Sequence, residues 1–66
     1  MRADREKIEF ALARACMTAN SVAVAAQMPQ ATVKNVIVGR NVRPVTIGRV
    51  ARALGVDIAE IIEEGK

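Results

Sequence analysis

Residues 18–39, TANSVAVAAQMPQATVKNVIVG, carry two apolar stripes at helical spacing, with room between them for little more than a corner. Val22, Ala23 and Ala26 fall on one face of a first short helix, and Val33, Val36 and Ile37 fall at i, i+3 and i+4 on a second. Thr18 is a good cap for the first helix, which ends near Ala26 and leaves Gln27 at the corner. Pro29 pre-sets the backbone for the second, which runs from about Pro29 or Gln30 to Val38. Gly39 stops it, as a residue that takes the left-handed conformation at no steric cost. Gln30, Lys34 and Asn35 fall between the stripes, so the second helix is pinned by its apolar side and turns amides and a lysine outward. The remainder of the chain has to supply the core that covers both stripes.

That core is small. The chain has 66 residues, which make one domain over residues 1–66, and a domain of this size buries only about 60% of the surface its unfolded chain exposes. Hydrophobic residues are 52% of the total but lean on alanine and valine, with Phe10 the only aromatic, so closely packed helices fit better than a sheet. Without further aromatic rings, stacking on splayed bases is not available, which argues against single-strand and RNA-platform modules and leaves duplex DNA open. The single Cys16 excludes an internal disulfide, and with no histidine the ligand sets of ordinary zinc sites are missing; no small-molecule site is evident. Residues 15–33 lack any charge, yet Thr18, Asn20, Ser21, Gln27, Pro29, Gln30 and Thr32 inside them do not suit a membrane span. Charged residues crowd the N-terminus where a secretory signal would need an apolar run, and the chain is expected in the cytoplasm.

The net charge of +3 understates how the charge is arranged. Acids occur only near the ends, at Asp4, Glu6 and Glu9 and at Asp57, Glu60, Glu63 and Glu64. Between Phe10 and Val56 there are none, while Arg14, Lys34, Arg40, Arg43, Arg49 and Arg52 give that segment a charge of +6. An uncompensated cationic zone of this kind is the footprint of a chain that meets phosphates, set against the plainer reading of a solvated basic surface.

The flanking segments read as further helices. Asp4 caps a first helix that runs to Cys16, with Ile8, Ala11, Leu12 and Ala15 as its buried stripe and Cys16 and Met17 as its last core residues. After a loop over residues 40–44, Ile47, Val50, Ala51 and Leu54 lie at i, i+3, i+4 and i+7 on a fourth helix that starts near Val45 or Thr46 and ends at Gly55. Asp57 and Glu60 form a capping-box-like pair that opens a short fifth helix, with Ile58, Ile61 and Ile62 on one face.

With five helices, a tight corner after the second and a glycine after the third, the chain resembles the helix-turn-helix family of phage repressors and Cro, the XRE-type regulators. The resemblance covers residues 8–62 and is most telling over residues 18–39 and over VARALGVDIAEII, residues 50–62. It implies an all-α, compact five-helix lambda-repressor-like DNA-binding domain, with its helix-turn-helix formed by the second and third helices. Position by position, it implies base reading in the major groove by Gln30, Ala31 and Asn35. A primary amide suits adenine, and Ala31 offers an apolar contact such as one to a thymine methyl. Thr32, Lys34, Arg40 and Arg43, with the N-terminus of the second helix at Ala19 and Asn20, would hold the DNA backbone. Four departures from the family pattern stand out: Ala19 in place of a bracing glutamine, Gln27 in place of the corner glycine, Pro29 in place of a hydroxyl cap, and Leu12 with Ile37 in place of a common Arg–Glu pair. The last is read as a core contact swapped from ionic to apolar.

The expectation is therefore a sequence-specific regulator of transcription, a small repressor or Cro-like switch such as a mobile element carries. The alternative class is a protein-interaction module on the same fold, an antitoxin or adaptor, working through the basic face or the Ile58, Ile61, Ile62 stripe. An enzyme is not expected, because carboxylates occur only at the ends and no Gly-rich phosphate loop is present. Homodimerisation through the fifth-helix region follows from how the motif usually works, against the competing reading that the same isoleucines close the monomer core.

Overall fold

The helices of this chain start and stop on short-range chemistry that repeats from one to the next. The computed structural model describes residues 1–63. It contains α1 (Arg5–Ala15), α2 (Ala19–Ala26), α3 (Gln30–Ile37), α4 (Pro44–Leu54) and a single 3-10 turn at Ile58–Glu60, and is all-helical apart from one antiparallel bridge between Ala3 and Ile62. Asp4 caps α1 by accepting from the Lys7 amide at 3.1 Å, and Thr18 caps α2 by accepting from the Ser21 amide at 3.1 Å. At the other ends, each helix closes on a left-handed residue followed by an amide that reaches back five positions. Met17 donates to Leu12 at 3.0 Å after Cys16, Met28 to Ala23 at 2.9 Å after Gln27, Arg40 to Asn35 at 3.0 Å after Gly39, and Val56 to Ala51 at 3.0 Å after Gly55. This is the Schellman closure, which satisfies carbonyls the helix itself leaves unpaired. Met17, Met28 and Val56, the residues just past three of these stops, then fold back onto the core.

The expected stripes meet in one core, except that Ala26 is half-buried and lies outside it, lining a surface hollow. Ile8 and Ala11 of α1, Val22 and Ala23 of α2, Val33 and Val36 of α3, and Ile47, Val50, Ala51 and Leu54 of α4 are all buried, joined by Ala3 and Ile61. Leu12 and Ile37 are half-buried and pack against the same cluster, and α1 and α3 are neighbours. Phe10, the one aromatic, is not in the core but 68% exposed. α1 and α2 bend by 80° at their junction, and no single helix among the described residues is long and apolar enough to cross a membrane.

Three expectations need correction. A fifth α-helix does not form: Asp57 and Glu60 do make their capping box, but it closes only the one turn at Ile58–Glu60. Ile61 then breaks the helical geometry so that its carbonyl can accept from the Asp4 amide at 2.7 Å, while Ile62 pairs with Ala3. The N-terminal residues thus compete successfully for backbone groups that a longer helix would have used internally. Ile61 is fully buried inside this one chain and Ile58 and Ile62 are half-buried, so the three do not form an outward stripe. Second, Cys16 is exposed at φ 55°, terminating α1 instead of extending its core stripe, and third, α4 begins at Pro44, one residue earlier than expected, with the proline in the first-turn position that tolerates it.

Candidate nucleic-acid interface

The outward side of α3 is set by what its inward side must do. Val33 and Val36 are fully buried and Thr32 and Ile37 half-buried, which rotates Gln30, Ala31, Lys34 and Asn35 into solvent. These four fall at i, i+1, i+4 and i+5, one continuous helical face. Val38, just past the helix end and 52% exposed, extends it by a turn. Sequence reasoning took Val38 only as the last helical residue; its place on the i+8 position of this face was the available signal. The surface is a strip of two amides, a lysine and two small apolar groups, with no carboxylate on it.

Cations flank this strip through a loop that is itself held. The Arg40 amide closes α3 on Asn35, and the Val42 amide donates to the Met1 carbonyl at 2.8 Å. In return the Met1 amino group donates to the Asn41 side chain and to the Val42 carbonyl. The two arginines of the loop, Arg40 and Arg43, are exposed on a backbone tied down at both ends. Arg43 is also the residue immediately before α4, whose N-terminus has no side-chain cap; α3 begins in the same state behind Pro29. The start of α3 leaves the Gln30 and Ala31 amides without a helical partner, whereas α4, which opens on Pro44 and gives its Thr46 and Ile47 amides to the Arg43 carbonyl, leaves only that of Val45. Not all of the expected charge is uncompensated: Arg14 meets Glu60 at 3.4 Å, a contact between residues too far apart in sequence to be anticipated.

The start of α2 contributes a third uncharged donor set. Thr18 takes the Ser21 amide, which leaves those of the half-buried Ala19 and the exposed Asn20, donors that a helix cannot satisfy in its first turn. At the corner, Gln27 adopts φ 57° and ψ 51°, so the left-handed geometry is kept without the glycine that makes it inexpensive. Relieving the contact between its side chain and backbone should show directly in stability. Gln27→Gly is expected to stabilise the fold by about 1 kcal/mol, a rise in Tm of roughly 4–8 °C in a domain of this size. A lowered Tm in a thermal melt would mean that the Gln27 side chain makes a compensating contact.

Each residue expected at the interface is thus on the surface or half-buried, and Gln30, Ala31, Lys34 and Asn35 lie together on one face with Arg40 and Arg43 in the loop that follows. Thr32 sits further round α3, lining a hollow shared with Arg43 and Thr46. The chain matches no protein-family model, no curated protein and no solved structure.

Proposed function

We propose that this chain is a sequence-specific duplex-DNA-binding protein of the helix-turn-helix class, in which α2 and α3 form the motif and α3 enters the major groove. The observation that carries the reading is the outward face of α3, where Gln30, Ala31 and Asn35 stand exposed without any acid, followed at once by Arg40 and Arg43. A major groove accepts one α-helix, and the hydrogen-bonding edges on its floor are complementary to primary amides, while flanking cations neutralise phosphates on either side. The lambda-repressor-like arrangement is supported by the order of the helices, the three-residue corner and the left-handed stops, and such a regulator works in the cytoplasm as a repressor or switch and not as an enzyme.

Two classes of contact divide the work. Gln30, Ala31 and Asn35 read bases; Thr32, Lys34, Arg40 and Arg43, with the amides at Ala19 and Asn20, fix the register on the backbone. The exposed Arg40 is the cleanest test of the second class, since it can be removed without touching the core. Titrating random-sequence duplex over a range of salt, Arg40→Ala is expected to weaken every sequence alike and to reduce the slope of log K against log salt by about one unit. An unchanged slope would remove Arg40 from the interface, and salt-independent binding by the intact chain would overturn the proposal itself. Selection of bound duplexes from a random pool is expected to enrich one motif, and a palindromic motif would show that two copies bind together.

A further inference from the structure

The reading of α3 leaves two cations of the acid-free segment unused. Arg49 and Arg52 lie one turn apart on α4, both exposed, and they border a hollow of ≈ 330 Å³ whose other walls are Ala25, Ala26, Gln27 and Ala53. A second hollow of ≈ 340 Å³ shares Gln27 and Arg49 with the first and leads away from it towards Arg43 and Thr32, on the side assigned to the DNA backbone. No carboxylate among the described residues pairs with Arg49 or Arg52, in contrast to Arg5 and Arg14, which are both engaged by glutamates.

The chemistry of the first hollow, a depression along α4, differs from that of the α3 face. Between the arginines its walls are Ala25, Ala26 and Ala53, small residues that leave room for the close approach of a polypeptide segment. Arg52 lies eight residues beyond Pro44, about 12 Å further along the helix axis from the end of α4 that adjoins the reading face. Side chains three apart on a helix are separated by about 5–6 Å, a spacing that acidic residues one turn apart on a partner helix reproduce. We infer that this depression receives an acidic, alanine-rich helical segment of a partner protein. Its carboxylates pair with the guanidiniums of Arg49 and Arg52, which present planar forks suited to them, and its small side chains lie on the alanine floor. Arg49, Arg52 and the three alanines are distinct from the residues assigned to DNA, so both ligands bind the same chain.

The test uses a fluorescein-labelled synthetic helical peptide of glutamate and alanine with glutamates spaced i, i+3, and a control in which glutamine replaces each glutamate. By fluorescence anisotropy the intact chain is expected to bind the glutamate peptide in preference to the glutamine control. Arg49→Ala/Arg52→Ala together should weaken it about tenfold, while Arg40→Ala leaves it unchanged. On random-sequence duplex the double variant should keep the salt slope of the intact chain, because that slope counts phosphate contacts. Ala25→Glu, which adds a competing carboxylate at an exposed position of the floor, should weaken the peptide and provides a second readout should the double variant unfold. The inference is overturned if the intact chain does not distinguish the two peptides, or if Arg40→Ala costs as much as the double variant. A reduced duplex slope in the double variant would also overturn it, by making these arginines part of the phosphate track. Failure of duplex binding with peptide binding intact would instead count only against the DNA reading.

Discussion

Ile61→Ala is expected to destabilise the domain by about 2–5 kcal/mol, the usual cost of deleting most of a fully buried isoleucine. A chain of this length has in total only roughly 3–10 kcal/mol to lose, so the variant should melt on the order of 10 °C or more below the parent, or fail to fold. The reason is position: Ile61 is completely buried although it lies outside every α-helix, and its carbonyl holds the Asp4 amide at 2.7 Å. The loss therefore falls on the seam that joins the two ends of the chain as well as on the core. Measured by circular dichroism, the drop in Tm should be the same across a wide range of protein concentrations, as expected of a side chain buried within one chain. A loss that shrinks as concentration rises would return Ile61 to the subunit contact that its sequence position also allowed. Ile58 and Ile62, only half-buried, should cost less when truncated.

The second large effect concerns discrimination between DNA sequences. Once a preferred duplex is known, Gln30→Ala and Asn35→Ala should each cost about 1–3 kcal/mol of preference at particular base pairs, roughly 5- to 150-fold, while binding to random duplex changes little. Both side chains are exposed and neither holds the fold, so thermal stability should be near that of the parent. Competition binding against single-base-pair substitutions of the selected duplex resolves which base each residue reads. Equal losses on every sequence would assign the two amides to the backbone instead, and no loss would take α3 out of the groove. This behaviour is the opposite of that expected for Arg40, and the contrast between the two variants is more informative than either alone.

How far these assignments were legible in the sequence depended on the range of the interaction behind each one. The α3 face was legible because a helix imposes its own angular order: once Val33 and Val36 are inward, Gln30, Ala31, Lys34 and Asn35 have no other direction to face. The caps Asp4, Thr18 and Asp57 and the stops at Gly39 and Gly55 were legible for the same reason, since each acts within a few residues. Cys16 was not, because a left-handed stop at a residue other than glycine leaves no mark in composition; its local signal, an apolar Met17 placed to fold back, was ambiguous with a continuing helix. The depression along α4 was equally hidden, because it exists only where the C-terminal half of α2 comes beside Arg49 and Arg52.

By itself the sequence determined an all-helical chain, the faces that its helices bury and expose, and the segregation of acids to its ends, because periodicity, capping and charge are local or simply additive. Only the tertiary structure decided the fate of the ends. The capping box at Asp57 called for a helix, but the Ala3–Ile62 bridge, the Asp4 amide that takes the Ile61 carbonyl and the Arg2 carbonyl that takes the Glu63 amide gave backbone groups of that segment partners across the molecule. It likewise paired Arg14 with Glu60 and tied the loop of Arg40 and Arg43 to Met1. Such contacts join residues some forty or more positions apart, and their choice rests on which surfaces a common core brings together, a property that no local pattern contains.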